Sequence, residues 1–543
     1  MHVLQALLPL SLAGGAFSAA ISPRNNDGGG GGGSAISCHD LWEKAPQILP
    51  DLEVYYAGDY EAGTNFTTEY ATVAYPDAVP DLAAFCRFGA WIHTPGDNRV
   101  QFEVWLPKPE EWSGRFAMVG NGGDAGGVNF PDMGVPLTKY HYAVASTDTG
   151  HHGVSGNGTF AANNPESQNN FGYRAVHLTT VYSKAIVKAY YGKPQDYSYW
   201  IGCSSGGKQG LREIQLYPEE YDGVLAGAAA QYWTRLSAQI YRLNTYINGN
   251  LSTSFLNRDN YDTIAQHVLA ACDGEDGVED GIITDPSRCR PDLTPLLCSS
   301  SAPSPSVNET TCLSEAQIAN MNQIWAQWSW PNGTYLYEGM SVGAEALSDF
   351  SVVNNTEIGA PYAPTEQEFY DHIQEGLDNN PGGINAVEPN IEPFLKRGKL
   401  LTFHGWSDRI IPSRSSIRYF DEVHDALGKK DLSDSYRLFM VPGMGHCRSG
   451  PGAWNFGANG QRPLSLKGAG QSSVFDEDHD MLLALQRWVE KGEAPEVIIG
   501  TKYNNDNKNE GVNFTRKLCP HPMQGVYVSG DENSADSFAC RYV

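Results

Sequence analysis

Tyr199-Trp200-Ile201-Gly202-Cys203-Ser204-Ser205-Gly206-Gly207-Lys208 is the stretch that decides the reading of this 543-residue chain. It contains a Gly-x-Ser-x-Gly string, preceded by the apolar end of an expected strand and followed by a helix-compatible run from Gln209 to Tyr217. Strand, sharp turn and helix are the setting of a nucleophile elbow, which presents a serine hydroxyl above the C-terminal edge of a sheet. Gly202 and Gly206 permit close backbone approach around such a turn. Ser204 is therefore the candidate nucleophile; the plainer alternative is a small-residue loop with Cys203 buried.

A serine needs a base and the base needs an orienting acid. In this fold both follow the nucleophile along the chain. Leu400 to Phe403 reads as a buried strand, with His404-Gly405-Trp406-Ser407-Asp408 as the turn after it. Tyr436 to Val441 reads as another strand, running into Pro442-Gly443-Met444-Gly445-His446-Cys447. Both candidates fall just beyond strand ends, where open α/β sheets carry their chemistry. Asp408 would hold the neutral His446 tautomer while His446 takes the proton from Ser204; the plainer alternatives are a loop-capping Asp408 and a surface His446. Cys203 directly precedes the nucleophile and Cys447 directly follows the base. A disulfide between them would fasten one to the other.

Around these motifs the pattern is alternating. Phe102 to Leu106 reads as a strand with Phe102, Val104 and Leu106 on its buried face, and Pro107-Lys108 ends it. Arg115 to Val119 is the next strand and leads into the glycine-rich loop 120–127, whose amides either face a developing oxyanion or form a plain turn. Tyr142 to Ser146 follows as a core strand, and His151 and His152 after it read as hydrogen-bonding loop residues. In Ala175 to Tyr191, Val176, Thr179, Tyr182, Ile186 and Ala189 recur at helical spacing before Gly192-Lys193-Pro194 stops the run. The sum is a three-layer α/β domain.

Ser204 lies 204 residues before Asp408, whereas Asp408 lies only 38 before His446. The long interval accommodates an inserted domain at 240–395, leaving 38–239 and 396–543 for the catalytic domain. Inside it, Trp325, Trp328, Trp330, Tyr335 and Tyr337 either fill the core of the insertion or line a pocket for a planar ester. The run 272–282 is acidic and glycine-rich. Asp273, Asp276 and Asp280 offer hard oxygens, with the carbonyls of Val278 and Ile282 able to complete a shell. A solvated acidic loop is the alternative, since the EF-hand spacing is incomplete and no Cys/His quartet points to zinc.

With 37 basic and 63 acidic residues and a net charge near -26, the chain is ill suited to a nucleic-acid surface. Ten cysteines fit an oxidising compartment. Glycosylation sequons begin at Asn65, Asn157, Asn250, Asn308, Asn332, Asn354 and Asn513. Residues 1–20 are apolar and end in small residues, as a secretory signal does, and 21–37 read as a disordered glycine-rich leader. No later stretch has the length of a membrane span. A secreted, extracellular protein follows, without membrane or nucleic-acid partners.

Three motifs, G-C-S-x-G-G at 202–207, H-G-x-x-D at 404–408 and V-P-G-M-x-H-C at 441–447, together resemble the fungal tannase/feruloyl esterase family, and the resemblance runs from about residue 38 to the end. It implies an α/β-hydrolase catalytic domain with a large inserted lid domain, in which Ser204, Asp408 and His446 are the catalytic residues. It implies oxyanion donation from the backbone amides of Ser205 and of Gly122 or Gly123, and aromatic lid residues at the pocket. The family's disulfides imply Cys203 to Cys447, Cys38 to Cys86, Cys272 to Cys289, Cys298 to Cys312 and Cys519 to Cys540. A structural calcium is implied at Asp273, Asp276, Val278, Asp280 and Ile282, with no organic cofactor. Lys208 departs from the arginine often found there, so the planar hydrogen-bonding fork is lost while the charge is kept.

The expected activity is that of a secreted serine carboxylic-ester hydrolase. It releases ferulic or related hydroxycinnamic acids from plant cell-wall esters, with feruloylated polysaccharide fragments as substrates. Two alternatives stay open: a tannase acting on galloyl esters and depsides, and a non-catalytic calcium-stabilised carbohydrate-binding protein.

Overall fold

Nine strands form the central sheet among the described residues: β1 (Leu52–Tyr60), β2 (Phe85–Thr94), β3 (Asn98–Pro107), β4 (Arg115–Val119), β5 (Ala143–Thr147), β6 (Tyr197–Cys203), β7 (Gly223–Gly227), β8 (Lys399–Gly405) and β9 (Tyr436–Val441). The computed structural model describes residues 35–67, 74–244, 254–300, 307, 311–347, 365–458 and 471–543. The expected signal, all but the last three residues of the leader, and Asn250, Asn308 and Asn354 lie outside them.

The spatial order is β1-β2-β3-β5-β4-β6-β7-β8-β9. Pairing is antiparallel from β1 through β5 and parallel from there to β9. Parallel strands need crossovers that cover both faces, so their residues are buried on both sides. Trp200 of β6 accordingly enters one apolar layer, and Tyr199 and Ile201 enter the other. The first layer also takes Val176, Ile186 and Val187 of the helix Ala175–Tyr191, Leu211 and Ile214 of the helix Ser205–Leu216, and Tyr419 and Val423 of the helix Arg414–Ala426. The second takes Met133 and Leu137 of Phe130–Tyr140 together with Leu482, Leu485 and Trp488 of Met481–Lys491. This is a three-layer α/β-hydrolase fold.

β3 differs from its one-sided reading. Phe102, Val104 and Leu106 do face one core, but Trp105, Glu103 and Gln101 on the other face are buried as well. Glu103 is fully buried because it is paired: its carboxylate accepts from Nε and Nη2 of Arg87 at 2.8 and 2.6 Å, from Trp105 Nε1 at 2.9 Å and from the Tyr55 hydroxyl at 2.9 Å. The Arg87 guanidinium in turn covers the rings of Tyr56 and Phe66 at 4.3 and 4.9 Å.

Within 240–395, a separate apolar cluster gathers Leu256, Tyr261, Ile264, Val268, Leu293, Leu313, Met321 and Ile324. Its helices begin at well-defined caps. Asn257 and Asn260 form a capping box on Arg258–Cys272, as do Ser314 and Gln317 on Glu315–Trp325 and Thr365 and Glu368 on Glu366–Asn379. Trp328, Leu336, Phe369 and Ile373 instead pack into the main core, so the segment is seated on the central sheet's layer as well as on itself.

Glu103→Gln removes the counter-charge of a buried guanidinium. It should cost about 3–5 kcal/mol of stability in urea denaturation, and the double variant Arg87→Met/Glu103→Gln should recover most of that loss.

Candidate active site

Ser204 lies directly after the last residue of β6, with φ 64° and ψ -124°. This is a sparsely populated conformation for a residue with a side chain, maintained only where the surroundings over-determine it. They do so here. The Ser204 amide donates to the Gly227 carbonyl at 2.9 Å, while the Ser204 carbonyl accepts from Lys208 and Ala230 at 3.0 and 3.1 Å. A Cβ on Gly202 would lie 2.4 Å from the Gly206 carbonyl oxygen, so the tight return of the chain excludes any larger residue.

The glycine-rich loop is tied to the same helix by a reciprocal pair. The Asn121 amide donates to Gln209 Oε1 at 2.9 Å and Gln209 Nε2 donates to Asn121 Oδ1 at 3.2 Å. Gly122 donates its amide to the Tyr75 hydroxyl at 2.8 Å, and both glycines, Tyr75 and Ser204 line one cavity. Tyr75, Asn121 and Gln209 escape the sequence reading because nothing local distinguishes them; their partners lie tens of residues away.

Asp408 is fully buried and accepts four hydrogen bonds. The amides of Ile410 and Ile411 reach Oδ1 at 2.8 and 3.0 Å. On Oδ2, His446 Nδ1 approaches at 2.7 Å and His404 Nε2 at 2.9 Å. Burial alone would raise this carboxyl, yet His446 whenever its ring is protonated, and the bonds from both histidines, hold it well below the usual carboxylate range. A carboxylate only accepts, so both facing ring nitrogens carry protons, and His446 Nε2 is left as the basic lone pair.

His404 corrects the sequence reading. It belongs to β8 rather than to the turn, is fully buried, and its Nδ1 accepts from the Ser416 hydroxyl at 2.8 Å. The four-residue interval in H-G-x-x-D was the available signal: a strand end followed by a tight turn returns position five to position one.

All five implied disulfides are present: Cys38–Cys86, Cys203–Cys447, Cys272–Cys289, Cys298–Cys312 and Cys519–Cys540. Cys203–Cys447 spans 244 residues of chain with its Cα atoms 6.1 Å apart, so it draws the loop bearing His446 onto the strand that ends beside Ser204. Ser204 and His446 border the same cavity of about 670 Å³. Its apolar wall is made by Trp233, Leu236, Ile240, Ile410 and Ile411, and Asp124, Asp132, Ser155 and Arg448 supply polar groups.

Trp325, Trp328, Trp330, Tyr335 and Tyr337 do not line this cavity. Trp328 stacks on Phe369, Trp330 meets Tyr370, Arg418 covers Tyr335 at 3.6 Å, and Tyr337 packs beside Tyr232. Packing elsewhere claims these rings, and the aromatic surfaces at the cavity come from Tyr75, Trp233 and Tyr241. His151 and His152 also do not line it. His151 Nε2 meets the Asp124 carbonyl at 2.9 Å, and His152 meets Asp148 at 3.3 Å.

Lys208, one turn behind the nucleophile, is fully buried between the rings of Phe171 and Trp233, with Nζ 5.0 and 5.1 Å from their centroids. Burial, with Arg212 nearby, pulls its ammonium down to about 7. Retention of full charge, expected from the sequence, is therefore not what this environment favours, and Lys208 braces the back of the Trp233 wall.

In the acidic loop, Asp273 accepts from the amides of Gly281 and Ile282 at 3.0 and 3.1 Å. Asp276 accepts from Val278 N at 3.0 Å and Thr284 Oγ1 at 2.5 Å, and Asp280 from Ile282 N at 3.1 Å and Arg516 at 2.5 Å. The side chains of Val278 and Ile282 are buried. An all-oxygen donor set on one loop closed by Cys272–Cys289 fits calcium by its chemistry. It is not a preformed cage: the described cluster with three acid or histidine ligand atoms within 4.8 Å of one another lies elsewhere. Asn65, Asn157, Asn332 and Asn513 are exposed.

If His404 keeps Asp408 in place for His446, His404→Ala should lower kcat on an ester substrate by about 100-fold through misplacement, with KM nearly unchanged. Ser416→Ala should give a smaller loss of the same kind, both read from steady-state kinetics.

The model of the family described as "Tannase and feruloyl esterase" matches residues 86–376 and 364–541. A protein named probable feruloyl esterase B from Emericella nidulans is 30% identical over 564 residues, covering 99% of this chain and all of that one. A probable feruloyl esterase B-1 from Aspergillus fumigatus is 34% identical, covering 83% of this chain and 85% of its own. The crystal structure of feruloyl esterase B from Aspergillus oryzae superposes with a TM-score of 0.82 at 30% identity, over 93% of this chain and 100% of that one. Tannin acyl hydrolase from Aspergillus niger shares the fold, with a TM-score of 0.66 at 22% identity over 92% of this chain and 93% of that one. Matched along most of its length, this chain belongs to the tannase and feruloyl esterase family.

Proposed function

We propose that this chain is a secreted serine carboxylesterase that releases ferulic and related hydroxycinnamic acids from feruloylated fragments of plant cell-wall polysaccharide. The observation that carries this is one cavity in which Ser204 and His446 face an apolar wall, with Asp408 fixed behind His446. Ser204 Oγ attacks the ester carbonyl as His446 Nε2 takes its proton. His446 then gives that proton to the departing alcohol, and the acyl group stays on Ser204. Water, deprotonated by His446, releases the acid and restores the serine. Asp408 stabilises the imidazolium throughout and stays ionised.

The Ser205 amide is one of the N–H groups that a helix leaves without an internal carbonyl, which suits it to the oxyanion. Of the two glycines, Gly122 already gives its amide to Tyr75, which favours Gly123 as the second donor.

Trp233, Leu236, Ile240 and Ile411 favour a flat phenylpropenoid with a vinyl spacer, whose ring and spacer are apolar and whose polar groups are few. A galloyl ring presents three adjacent hydroxyls, all of which would need partners among Asp124, Asp132, Ser155 and Arg448, and leaving any unpaired against the apolar wall is costly. Export is supported by the five disulfides and by the exposed sequons; among the described residues no helix is long and apolar enough to cross a membrane. Calcium, held by Asp273, Asp276 and Asp280 with the carbonyls of Val278 and Ile282, would neutralise a concentration of negative charge and brace the lid loop, outside the acyl chemistry.

Methyl ferulate, methyl p-coumarate, methyl caffeate and methyl gallate should be compared as substrates of the mature protein. The hydroxycinnamates should have the larger kcat/KM, a dominant methyl gallate value would make the enzyme a tannase, and Ser204→Ala should lower kcat by at least about 10,000-fold. Glycan binding without any ester cleavage would identify a binding protein instead.

Removal of calcium by chelation should lower Tm at concentrations where turnover at moderate temperature persists, because a ligand of the native state stabilises it by linkage. Unchanged Tm, with no bound calcium by metal analysis after dialysis against it, would remove the ion from the account.

A further inference from the structure

His177, Glu213 and Glu220 come together on the far side of the nucleophile helix, and the acyl chemistry uses none of them. His177 projects from the helix Ala175–Tyr191, Glu213 from Ser205–Leu216, and Glu220 from the connection that follows. One ligand atom of each lies within 4.8 Å of the other two. The His177 ring is stacked on Tyr217, with centroids 3.7 Å apart and planes 12° from parallel, so its orientation is held.

Two features make this more than an acidic cluster. Glu213 is completely buried, and no amide, hydroxyl or cationic donor among the described residues reaches its carboxyl oxygens, which face the carboxyl of Glu220; burial and that neighbour push the Glu213 carboxyl up. His177 Nδ1 and Glu220 Oε1 approach to 2.7 Å without the alignment of a hydrogen bond, and Glu220 Oε2 is likewise without a donor. Leaving such groups unsatisfied is costly, and a bound cation is one thing that satisfies all of them at once.

We propose that His177, Glu213 and Glu220 bind a borderline divalent metal ion, Zn²⁺ or Mn²⁺, which pins the nucleophile helix to its neighbour and to the loop entering β7. One imidazole nitrogen with two carboxylate oxygens suits these ions, and the imidazole disfavours calcium, which separates this site from the acidic loop. Water completes the shell from the solvent side, where the His177 and Glu220 side chains are 27% and 10% exposed. Two cations face the site and partly offset its negative charge: Lys184, whose ammonium goes to the main-chain carbonyl of Glu220 and lies near Glu213, and Arg212; Arg397 is drawn off by Asp222. The hydroxyls of Tyr173, Tyr217 and Tyr221 complete the polar surroundings. Glu213 lies about two and a half helical turns beyond Ser204, so the ion takes no part in bond making and acts by fixing the helix that presents the serine.

The full-length protein, stripped with EDTA and returned to excess calcium, is titrated with Zn²⁺ and then with Mn²⁺ by calorimetry, with Tm read in parallel. One saturable equivalent should bind and raise Tm, and diffraction at the zinc edge should place an anomalous peak among the three side chains. Glu213→Gln should abolish that binding. His177→Gln, at a partly exposed position that leaves the core intact, should weaken it by more than about 10-fold, the scale of even an outer-shell loss. Absence of saturable binding in calcium-loaded protein, or binding unchanged in both variants, would overturn the proposal. Glu213→Gln more stable than the parent, with neither protein binding metal, would identify a proton shared by two carboxylates in its place.

Discussion

A single buried carboxylate governs the geometry at the C-terminal edge of the sheet. Asp408 has no solvent to stabilise its charge, so its environment must, and four donors do so from three directions. The two amides come from its own turn, one imidazole from β8 and the other from the loop after β9. Each donor that satisfies the charge is also positioned by it. Burial, which would ordinarily protonate such a group, instead strengthens every bond to it because the donors are in place. His446 is consequently held with its Nδ1 occupied, which leaves Nε2 as the ring nitrogen for the base role proposed for it.

The nucleophile side is built on a different constraint. A serine at φ 64° is strained, and the strain is sustained by backbone bonds to Gly227 and Ala230 and by glycines that let the chain fold back within van der Waals distance of itself. The Cys203–Cys447 bond then couples the two halves. It joins residues adjacent to Ser204 and His446, so movement of either loop is transmitted to the other. Errors of a fraction of an ångström matter to proton transfer, so under the proposed mechanism this covalent link would carry a functional weight beyond its effect on chain entropy.

The cavity follows from how the insertion is seated. Part of 240–395 has its own apolar cluster, and part surrenders Trp328, Leu336 and Phe369 to the main core. Aromatic side chains expected at the pocket were taken up by that packing, and the walls came from Trp233, Leu236 and Ile240 on a helix at the junction, with Ile410 and Ile411 from the turn that also holds Asp408. The wall and the acid share one short segment, so substrate contact and base orientation are mechanically linked.

Strand and helix periodicity, the glycine spacing of the elbow and the strand-end placement of Asp408 and His446 were legible in the sequence. Each depends on residues within about a dozen positions, and local sterics dictate such patterns. The cysteine flanking of Ser204 and His446 extended that reading across 244 residues because a disulfide is a long-range contact written in residue identity. Other features were decided only in three dimensions. His404 turned from a loop residue into a second donor to Asp408, Tyr75 took the amide of Gly122, Glu103 and Arg87 buried their charges together, and Trp325 to Tyr337 went to packing rather than to the pocket. These outcomes depend on which side chains meet after the sheet has assembled, and on competition for burial among many apolar residues of similar character. Sequence spacing carries periodicity, but it does not carry the distances between elements that settle that competition.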